Sequence, residues 1–317
     1  NLKDKKGLDI MRKLLKNSDI LVENFRPGVM EKLKLSWNNI NKINRKIIMA
    51  RVSGYGYQLK NSSRQAFDAT VQAETGFMNI SGTTPNKPTM IGTVLLDYTT
   101  GLNLTIGILA ALYNRKVTGK GQLIEASLVS SALSMTMAAV PNYFLNKEDF
   151  NKKGNLDRYS APSNTYKAKN GFIHIMAGSN DRFYGLAMAM NKKNLIESTL
   201  YKSAEKRLEN IKSIDKIVEQ WTKKYTVSEL GKKLTKFSVP WGKVRKFSDF
   251  LKTKEAKQYL KQASIKDKNI TVPNCSVKIA GKKKLFKKNV PQLGQHNLKI
   301  LKELGFNDKQ INLLKKE

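Results

Sequence analysis

The stretch that decides the fold is SDILVENFRPGVMEKLKLSWNNINKINRKIIMARVSGYG, residues 18–56. It begins with a short apolar run, ILVENF, and ends with a longer one, KIIMARVSGYG, which closes on Gly54 and Gly56. The segment between them, RPGVMEKLKLS, has apolar residues at helical spacing and a proline near its first turn. Two apolar strands joined by a helix form a βαβ unit, which predicts a parallel, doubly wound sheet with its ligand at the strand ends.

The pattern extends in both directions from this unit. Upstream, KKGLDIMRKLLKNSD predicts a helix. Downstream, IGTVLLDYTTGLNLTIGILAAL, residues 91–112, predicts an apolar strand end followed by a helix of small residues, and residues 123–145 predict a further strand and helix. APSNTYKAKNGFIHIMAG, residues 161–178, predicts two antiparallel strands, and residues 181–251 are predicted to be helical. The chain is therefore expected to be an α/β protein.

The chain is strongly basic, with 58 Lys and Arg against 25 Asp and Glu and a formal net charge of +33 over 317 residues. A cluster of these charges on one face would indicate a nucleic-acid-binding protein. The basic residues are instead spread along the chain, and most are Lys rather than the Arg that base readers favour. We interpret most of them as solvated surface and a minority as partners of an anionic ligand. Nucleic-acid binding stays an alternative, and salt-sensitive retention on DNA would discriminate it.

Composition argues against several other classes of protein. Hydrophobic residues make up 40% of the chain, which is enough for a buried core. No transmembrane helix is predicted, because Asp97, Tyr98 and Asn103 interrupt the longest apolar run, and no signal peptide is recognised. The single Cys275 excludes an internal disulfide framework and is typical of a reducing cytoplasm. No spacing of His, Cys, Asp or Glu residues suggests a metal site.

Asp97 is the one carboxylate in the apolar run of residues 91–112. One interpretation is structural, since an Asp just ahead of a helix can cap it by accepting hydrogen bonds from backbone N–H groups. The other is catalytic, because a carboxylate at a strand end with little water nearby can be a positioned nucleophile. The small residues Thr99, Thr100 and Gly101 would leave room for a substrate beside it. The spacing alone leaves both interpretations open.

Seven segments resemble, in order and spacing, those of the class III CoA-transferases, the family that includes formyl-CoA transferase and the carnitine-type CoA-transferases. They are SDILVENFRPGVMEKL, INRKIIMARVSGYG, RQAFDATVQAETGFMNISG, LLDYTTGLNLTIGILAAL, NRKVTGKGQLIEASL, VPWGKV and PQLGQHNLKILKELGF. The resemblance covers essentially the whole chain. It implies a Rossmann-like large domain of residues 1–150, a smaller α+β domain of residues 151–268, and a C-terminal segment, residues 269–317, that returns to the large domain. It also implies an interlocked homodimer. Relative to the family, we expect the first strand and helix of the large domain to be missing from this sequence.

The resemblance assigns the role of nucleophile to Asp97, which matches the family's Asp in the segment LLDYTTG. Its carboxylate would attack an acyl-CoA thioester to give a mixed anhydride, which the returning CoA thiolate converts into an aspartyl-CoA thioester. A carboxylic acid acceptor would then receive CoA through a second anhydride. The carboxylate must be ionised to begin, and helix N–H groups would favour that state. CoA and acyl-CoA would be substrates, with no tightly bound cofactor, metal, nucleic acid or membrane, in the cytoplasm.

The family's CoA contacts transfer to short segments of this chain. The predicted contacts are Leu2 and Lys3 at a strand end, Asn24, Phe25, Arg26, Lys32, Arg64, Gln65, Ala66 and Phe67. Lys3, Arg26, Lys32 and Arg64 carry the charge that would bind the CoA phosphates. Lys32 is interpreted equally well as a surface cation. Arg64 fits better, because the family often has Arg four residues before the Asp of its YD or FD pair.

The α-methylacyl-CoA racemases of the same family are the main alternative. They carry a His immediately before the Asp of that pair, as a second acid/base group. This chain has Phe67 there, ahead of Asp68, which favours CoA transfer. A dicarboxylic acceptor and a succinyl-CoA donor are common in the family, and that is the only basis for naming them here. The glycine-rich loop of formyl-CoA transferase has no counterpart, so oxalate and formyl-CoA specificity is not implied.

Overall fold

The computed structural model of the chain describes residues 1–58, 63–83, 87–265, 268–281 and 290–314. The chain divides into two compact units, Asn1–Leu156 and Asp157–Glu317. The predicted domain boundary at residue 150 lies close to this division. The described part of residues 269–317 belongs to the second unit, and its return to the large domain stays a prediction.

The first unit alternates helices and strands, as the βαβ pattern predicts. In chain order the elements of its described residues are α1 (Lys5–Asn17), β1 (Ile20–Glu23), α2 (Val29–Lys32), α3 (Trp37–Ile43), β2 (Ile48–Ser53), α4 (Asp68–Glu74), α5 (Phe77–Ile80), α6 (Leu95–Thr118), β3 (Leu123–Ser127), α7 (Leu128–Met135) and α8 (Ala139–Asn146). Residues 2 and 3 form a turn, so the predicted strand end there is wrong. The reason is local, because the Asp4 side chain accepts the Lys6 N–H at 2.6 Å and starts α1 at once.

The three strands of this unit form one parallel sheet in the order β1-β2-β3. Its register pairs Glu23 with Arg51 and Ser53 with Ser127. This parallel sheet with flanking helices confirms the predicted α/β class. Because the strands run in the same direction, Glu23 and Ser53 end them at one edge, where ligand sites form in such folds.

Two buried apolar clusters hold the helices of this unit in place. One joins α1, α2 and α3 to β2 and consists of Leu15, Met30, Leu35, Ile40, Ile47 and Met49. The other surrounds the start of α6 and consists of Val71, Phe77, Leu96, Leu128 and Ala132. Full burial of a large apolar side chain contributes about 1.5–3 kcal/mol. The second cluster therefore fixes the first turn of α6 against α4 and α7.

α6 begins at Leu95, and the residues just ahead of it form no strand. The prediction of an apolar strand end leading to Asp97 is therefore wrong, and Asp97 lies inside the first turn of the helix. The Gln72 side chain explains the difference, since its Oε1 accepts the Ile91 N–H at 3.0 Å. Because a side chain rather than a neighbouring strand satisfies this N–H group, the segment enters the helix without joining the sheet.

One face of α6 is apolar and exposed, and we call it the apolar stripe. Its residues recur every three or four positions and are each more than half exposed: Tyr98, Leu102, Ile106, Leu109, Tyr113 and Val117. By length and hydropathy, α6 meets the criteria for a membrane-spanning helix, and α7 with α8 meets them as one span bent by 72°. The expectation of no membrane helix therefore stays a prediction. Core helices of soluble proteins share this length and hydropathy, so these two properties do not identify a span.

The second unit is built on an antiparallel sheet. Its described elements are β4 (Ser163–Ala168), β5 (Gly171–Met176), α9 (Asn180–Ala189), α10 (Asn194–Glu197), α11 (Ala204–Glu209), α12 (Ile211–Thr222), α13 (Val227–Lys236), β6 (Trp241–Lys243), α14 (Phe247–Leu251), α15 (Lys254–Lys257), β7 (Leu260–Ile265), β8 (Lys268–Pro273), α16 (Asn297–Glu303) and α17 (Asp308–Leu314). The sheet has the order β4-β5-β6, and β7 and β8 form a separate antiparallel pair. The predicted antiparallel strands of residues 161–178 are confirmed as β4 and β5.

The core of the second unit lies between this sheet and its helices. Ile173 and Ile175 of β5 are fully buried and pack with Leu186, Ile214 and Leu230. The unit therefore combines an antiparallel sheet with helices, as expected of an α+β domain.

Candidate active site

A cavity of about 720 Å³ opens in the first unit at the carboxyl ends of β1 and β2. Its wall includes the ends of β1 and β2, the turn after β1, the segment ahead of α4, one face of α6, and Leu128 at the start of α7. Of the predicted site residues, it is lined by Asn24, Phe25, Arg26, Arg64, Gln65, Ala66, Phe67 and Asp97. The fold thus brings together residues that lie far apart in the sequence, at the edge where parallel α/β sheets bind ligands.

Three predicted contacts lie outside this wall. Leu2 and Lys3 belong to the turn ahead of α1. Lys32 is the last residue of α2 and is exposed. The geometry of the cavity therefore does not support a role for these three residues in ligand binding.

Asp97 lines the cavity from the first turn of α6, and it is exposed. Within the described ranges its carboxylate forms no hydrogen bond or ion pair, although its backbone N–H is bonded. Loss of hydration against the cavity wall, followed by the nearby charge of Asp68, raises the pKa of Asp97. Helix N–H groups were expected to favour the ionised carboxylate and so to lower this pKa, and the raised pKa is the opposite result.

Asp68 supplies the cap at the start of α6. It is 5% exposed, and its Oδ2 accepts the backbone N–H groups of Leu96 at 2.7 Å and of Asp97 at 3.2 Å. Its Oδ1 accepts a hydrogen bond from the Gln72 side chain. The interpretation of Asp97 as the helix cap is therefore wrong, because Asp68 already binds the N–H groups at this end. No local sequence pattern indicates this role, since Asp68 and Asp97 are 29 positions apart.

Arg26 is held in the cavity wall by a neutral partner. The Gln65 amide, oriented with its oxygen toward the guanidinium, accepts hydrogen bonds from both terminal nitrogens of Arg26, with 3.2 Å to Nη1. Arg26 forms no ion pair with a carboxylate in the described part of the chain. An amide orients a guanidinium without cancelling its charge, so Arg26 keeps a full positive charge for an anionic ligand.

Arg64 also lines the cavity but has a charged partner. It forms an ion pair with Glu74 of α4, and its guanidinium lies 5.1 Å from the centre of the Tyr55 ring. This pair raises the pKa of Arg64 and lowers that of Glu74. Arg64 would have to exchange Glu74 for a phosphate in order to bind one, whereas Arg26 would not.

Gly101 leaves space one turn after Asp97. It lines the cavity, and a Cβ atom at this position would meet no other atom within 4 Å. Thr99 and Thr100, which we expected to share this role, do not line the cavity. Thr100 is buried and contacts the Ser131 hydroxyl at 2.9 Å. Room beside Asp97 therefore comes from Gly101.

Among the wall residues that are not predicted site residues, Glu23 and Gly54 shape the cavity. Glu23 is the last residue of β1 and is 6% exposed. Gly54 follows β2, and a Cβ atom added there would lie 2.1 Å from that of Ala66. The glycine therefore allows the segment ahead of α4 to approach the sheet closely. Its place at the end of an apolar strand was the signal that could have indicated this role.

The cavity places the Asp97 carboxylate in one wall with two cations, Arg26 and Arg64. Such an arrangement can bind an anionic ligand and present a nucleophile to it. No group of three or more His, Cys, Asp or Glu side chains that could hold a metal ion occurs in the described ranges.

Comparison with known proteins decides the family. The family model described as CoA-transferase family III matches residues 1–297. The chain belongs to CoA-transferase family III. The resemblance of its seven segments to the class III enzymes is thereby confirmed, and this CoA-transferase acts on CoA thioesters.

Relatives and solved structures agree with this assignment. The beta subunit of succinyl-CoA–L-malate CoA-transferase of Chloroflexus aurantiacus is 31% identical over 323 residues, covering 99% of this chain and 80% of the relative. Succinyl-CoA:glutarate CoA-transferase of Homo sapiens is 29% identical over 321 residues, covering 99% and 73%. A crystal structure of a CaiB/BaiF family protein from Brucella suis matches with a TM-score of 0.81 at 24% identity, covering 96% of this CoA-transferase and 80% of that chain. That structure supports the fold.

Proposed function

We propose that this CoA-transferase moves CoA from succinyl-CoA to a carboxylic acid, with Asp97 as the covalent nucleophile. The observation that carries the proposal is the Asp97 carboxylate, which lines the cavity and has no partner in the described part of the chain. Asp68 holds the backbone N–H of Asp97 while leaving this carboxylate available for attack. A helix cap would need the opposite arrangement, with the carboxylate engaged by N–H groups.

The transfer needs four steps at one carboxylate. An Asp97 oxygen attacks the thioester carbon, the C–S bond breaks, and a mixed anhydride forms with release of CoA thiolate. The thiolate attacks the Asp97 carbonyl carbon and expels the donor acid as its carboxylate, which leaves an aspartyl-CoA thioester. The acceptor carboxylate attacks that carbon and expels the thiolate, giving a second anhydride. The thiolate then attacks the acceptor's acyl carbon, and the Asp97 carboxylate is restored with no net use of protons or water.

The cations of the cavity support CoA as the ligand. Arg26 has an uncompensated charge that suits a phosphate, and Arg64 is a second phosphate partner if it leaves Glu74. Phe25 beside Arg26 is 47% exposed and offers an aromatic face to the adenine ring. Asn24, Gln65, Ala66 and Phe67 complete the proposed contacts.

The relatives motivate the choice of donor and acceptor. Their names state succinyl-CoA as donor and L-malate or glutarate as acceptor. We therefore infer a dicarboxylic acceptor for this chain. In the test, the protein and succinyl-CoA are incubated with one acceptor at a time: malate, glutarate, oxalate or a monocarboxylate. New CoA thioesters are detected by mass spectrometry. We expect a new thioester with a dicarboxylate and a loss of about 10³-fold or more in Asp97→Asn. Equal activity of Asp97→Asn would refute the proposal.

Racemisation is the competing outcome of this test. A racemase needs a second acid/base group at the position of Phe67. Phe67 lines the cavity and is 72% exposed, but its side chain cannot transfer a proton. Incorporation of solvent deuterium at the α-carbon of a 2-methylacyl-CoA, without any acceptor acid, would favour the racemase.

We also propose that the enzyme works as a homodimer and that a second copy covers the apolar stripe of α6. The stripe follows α6 from its first turn, at Tyr98, to its last, at Val117. An exposed apolar face of this length is typical of an interface between subunits. The cytoplasmic location and the absence of a nucleic-acid partner stay predictions.

A further inference from the structure

Glu23 is a buried carboxylate in the cavity wall that the proposed transfer does not use. Its side chain is 6% exposed, although it ends β1 beside an open cavity. Burial raises the pKa of Glu23 above its usual range. A buried carboxylate is costly unless hydrogen bonds satisfy it, so its bonds show what it holds in place.

Glu23 holds the turn that follows β1. Its Oε2 accepts the Phe25 N–H at 2.8 Å. Phe25 lies between Asn24 and Arg26, and all three residues are exposed in the cavity wall. The next backbone bond along the turn runs from the Val29 N–H to the Arg26 oxygen at 3.1 Å. An exposed turn with so few bonds depends on each of them for its geometry.

The other oxygen of Glu23 connects the turn to the sheet. Oε1 accepts from the Tyr57 hydroxyl at 3.3 Å, and this hydroxyl also lies 3.1 Å from the Val52 oxygen. The Arg51 guanidinium lies 3.7 Å from the centre of the Tyr57 ring. Through Tyr57, Glu23 is therefore tied to β2 on one side while it fixes the turn on the other.

Arg51 extends these contacts to α2 and β3. Its Nε donates to Glu125 Oε1 at 2.7 Å, and its Nη1 lies 3.4 Å from Glu31 Oε1. Both carboxylates that pair with Arg51 thus belong to other elements, and Glu23 is left with a backbone N–H and a phenol. Its negative charge makes the bond to the Phe25 N–H stronger than a neutral acceptor would.

We propose that Glu23 is a positioning residue, which fixes the backbone of Asn24, Phe25 and Arg26 in the geometry that binds CoA. This inference rests on the proposed role of that turn in CoA binding. Glu23 acts on binding of the donor through the Phe25 N–H and takes no part in the steps at Asp97. Replacing a residue that serves only the stability of the core would not weaken donor binding while leaving the steps at Asp97 unchanged.

The test compares wild type with Glu23→Leu, Glu23→Gln and Tyr57→Phe. Binding of free CoA is measured by calorimetry, and steady-state kinetics give kcat and the KM values for donor and acceptor. We expect Glu23→Leu to raise the Kd for CoA and the donor KM about tenfold or more, with kcat and the acceptor KM changed less than about twofold. Glu23→Gln keeps an acceptor for the Phe25 N–H, so we expect a change of less than about threefold.

The outcomes separate this inference from the proposed function. Wild-type protein that binds no CoA would overturn the proposed function and the positioning role together. Wild type that binds CoA, with Glu23→Leu binding it equally well, would overturn the positioning role alone. A fall in kcat together with a rise in both KM values would also overturn the positioning role. If Glu23→Leu does not fold, Tyr57→Phe decides, because it removes only the hydroxyl: a donor KM raised about two- to threefold with kcat unchanged supports the role, and an unchanged donor KM contradicts it.

Discussion

At the scale of single residues, two neighbouring carboxylates set the pH range of the proposed chemistry. The charge of Asp68 contributes to the raised pKa of Asp97, after the loss of hydration. Asp97 attacks only when it is ionised, so the rate falls as the pH drops through its pKa. Because that pKa is raised, the fall occurs above the usual range of an aspartate. Asp68→Asn removes the neighbouring charge and should move the fall to lower pH.

The measurement is kcat/KM for the acyl-CoA donor as a function of pH in both proteins. The amide oxygen of Asn can still accept the Leu96 N–H, so α6 keeps a cap. A fall at the same or a higher pH in Asp68→Asn would contradict this electrostatic account.

Gly101 provides a second test at this scale. A Cβ atom there meets nothing within 4 Å, so Gly101→Ala should fold and should increase the free energy of unfolding by about 0.5–1 kcal/mol. Gly101→Leu keeps the helical preference but fills the space beside Asp97, and we expect it to lower kcat/KM about tenfold or more. Denaturant unfolding and steady-state kinetics of both variants check these results. Wild-type kinetics in Gly101→Leu would show that the substrate does not approach Asp97 on this face.

At the scale of elements, α6 is held against α7 by a small polar cluster. The Ser131 hydroxyl is contacted by Thr100 Oγ1 at 2.9 Å and by Asn103 Nδ2 at 3.2 Å. Ser131→Ala removes this shared partner and should lower the free energy of unfolding by about 1 kcal/mol. Ser134→Ala is a matched control on the exposed side of α7 and should change stability by less than about 0.5 kcal/mol. Urea unfolding of both variants gives the comparison, and equal stabilities would show that the cluster does not hold the helices together.

Sequence periodicity was sufficient for the elements that rest on local patterns. The βαβ unit and the strand pair β4–β5 follow from apolar spacing. The predicted first strand, ILVENF, runs two residues too far, because β1 ends at Glu23 and the Glu23 side chain accepts the Phe25 N–H. The start of α6 could not be predicted, because it depends on Gln72 and on contacts from α4 far away in sequence. For the same reason the sequence leaves the cap open as one interpretation of Asp97, although Asp68 provides it. Lys32 looked like a ligand contact because charge alone does not show whether a side chain reaches the cavity.

At the scale of the whole molecule, the apolar stripe determines the expected assembly. If a second copy covers it, the protein should be a dimer in solution, with twice the mass of the 35.8 kDa chain by light scattering. Leu102→Glu combined with Ile106→Glu places two charges in the interface and should give monomers. Thr118→Glu adds a charge to α6 away from the stripe and should leave the dimer intact. A wild-type monomer, or wild type recovered with lipid vesicles rather than as a dimer, would contradict the proposed interface.

The central claim, that Asp97 carries the covalent intermediates, is tested most directly by trapping them. The protein is incubated with succinyl-CoA, quenched with hydroxylamine, and digested for peptide mass spectrometry, with Asp97→Asn treated in parallel. Hydroxylamine converts an anhydride or thioester of an aspartate into a hydroxamate on that side chain. We expect this modification on Asp97 and on no other carboxylate of the cavity, and its absence from Asp97→Asn. An unmodified Asp97 in protein that transfers CoA, or a hydroxamate on Glu23 or Asp68 instead, would contradict the account.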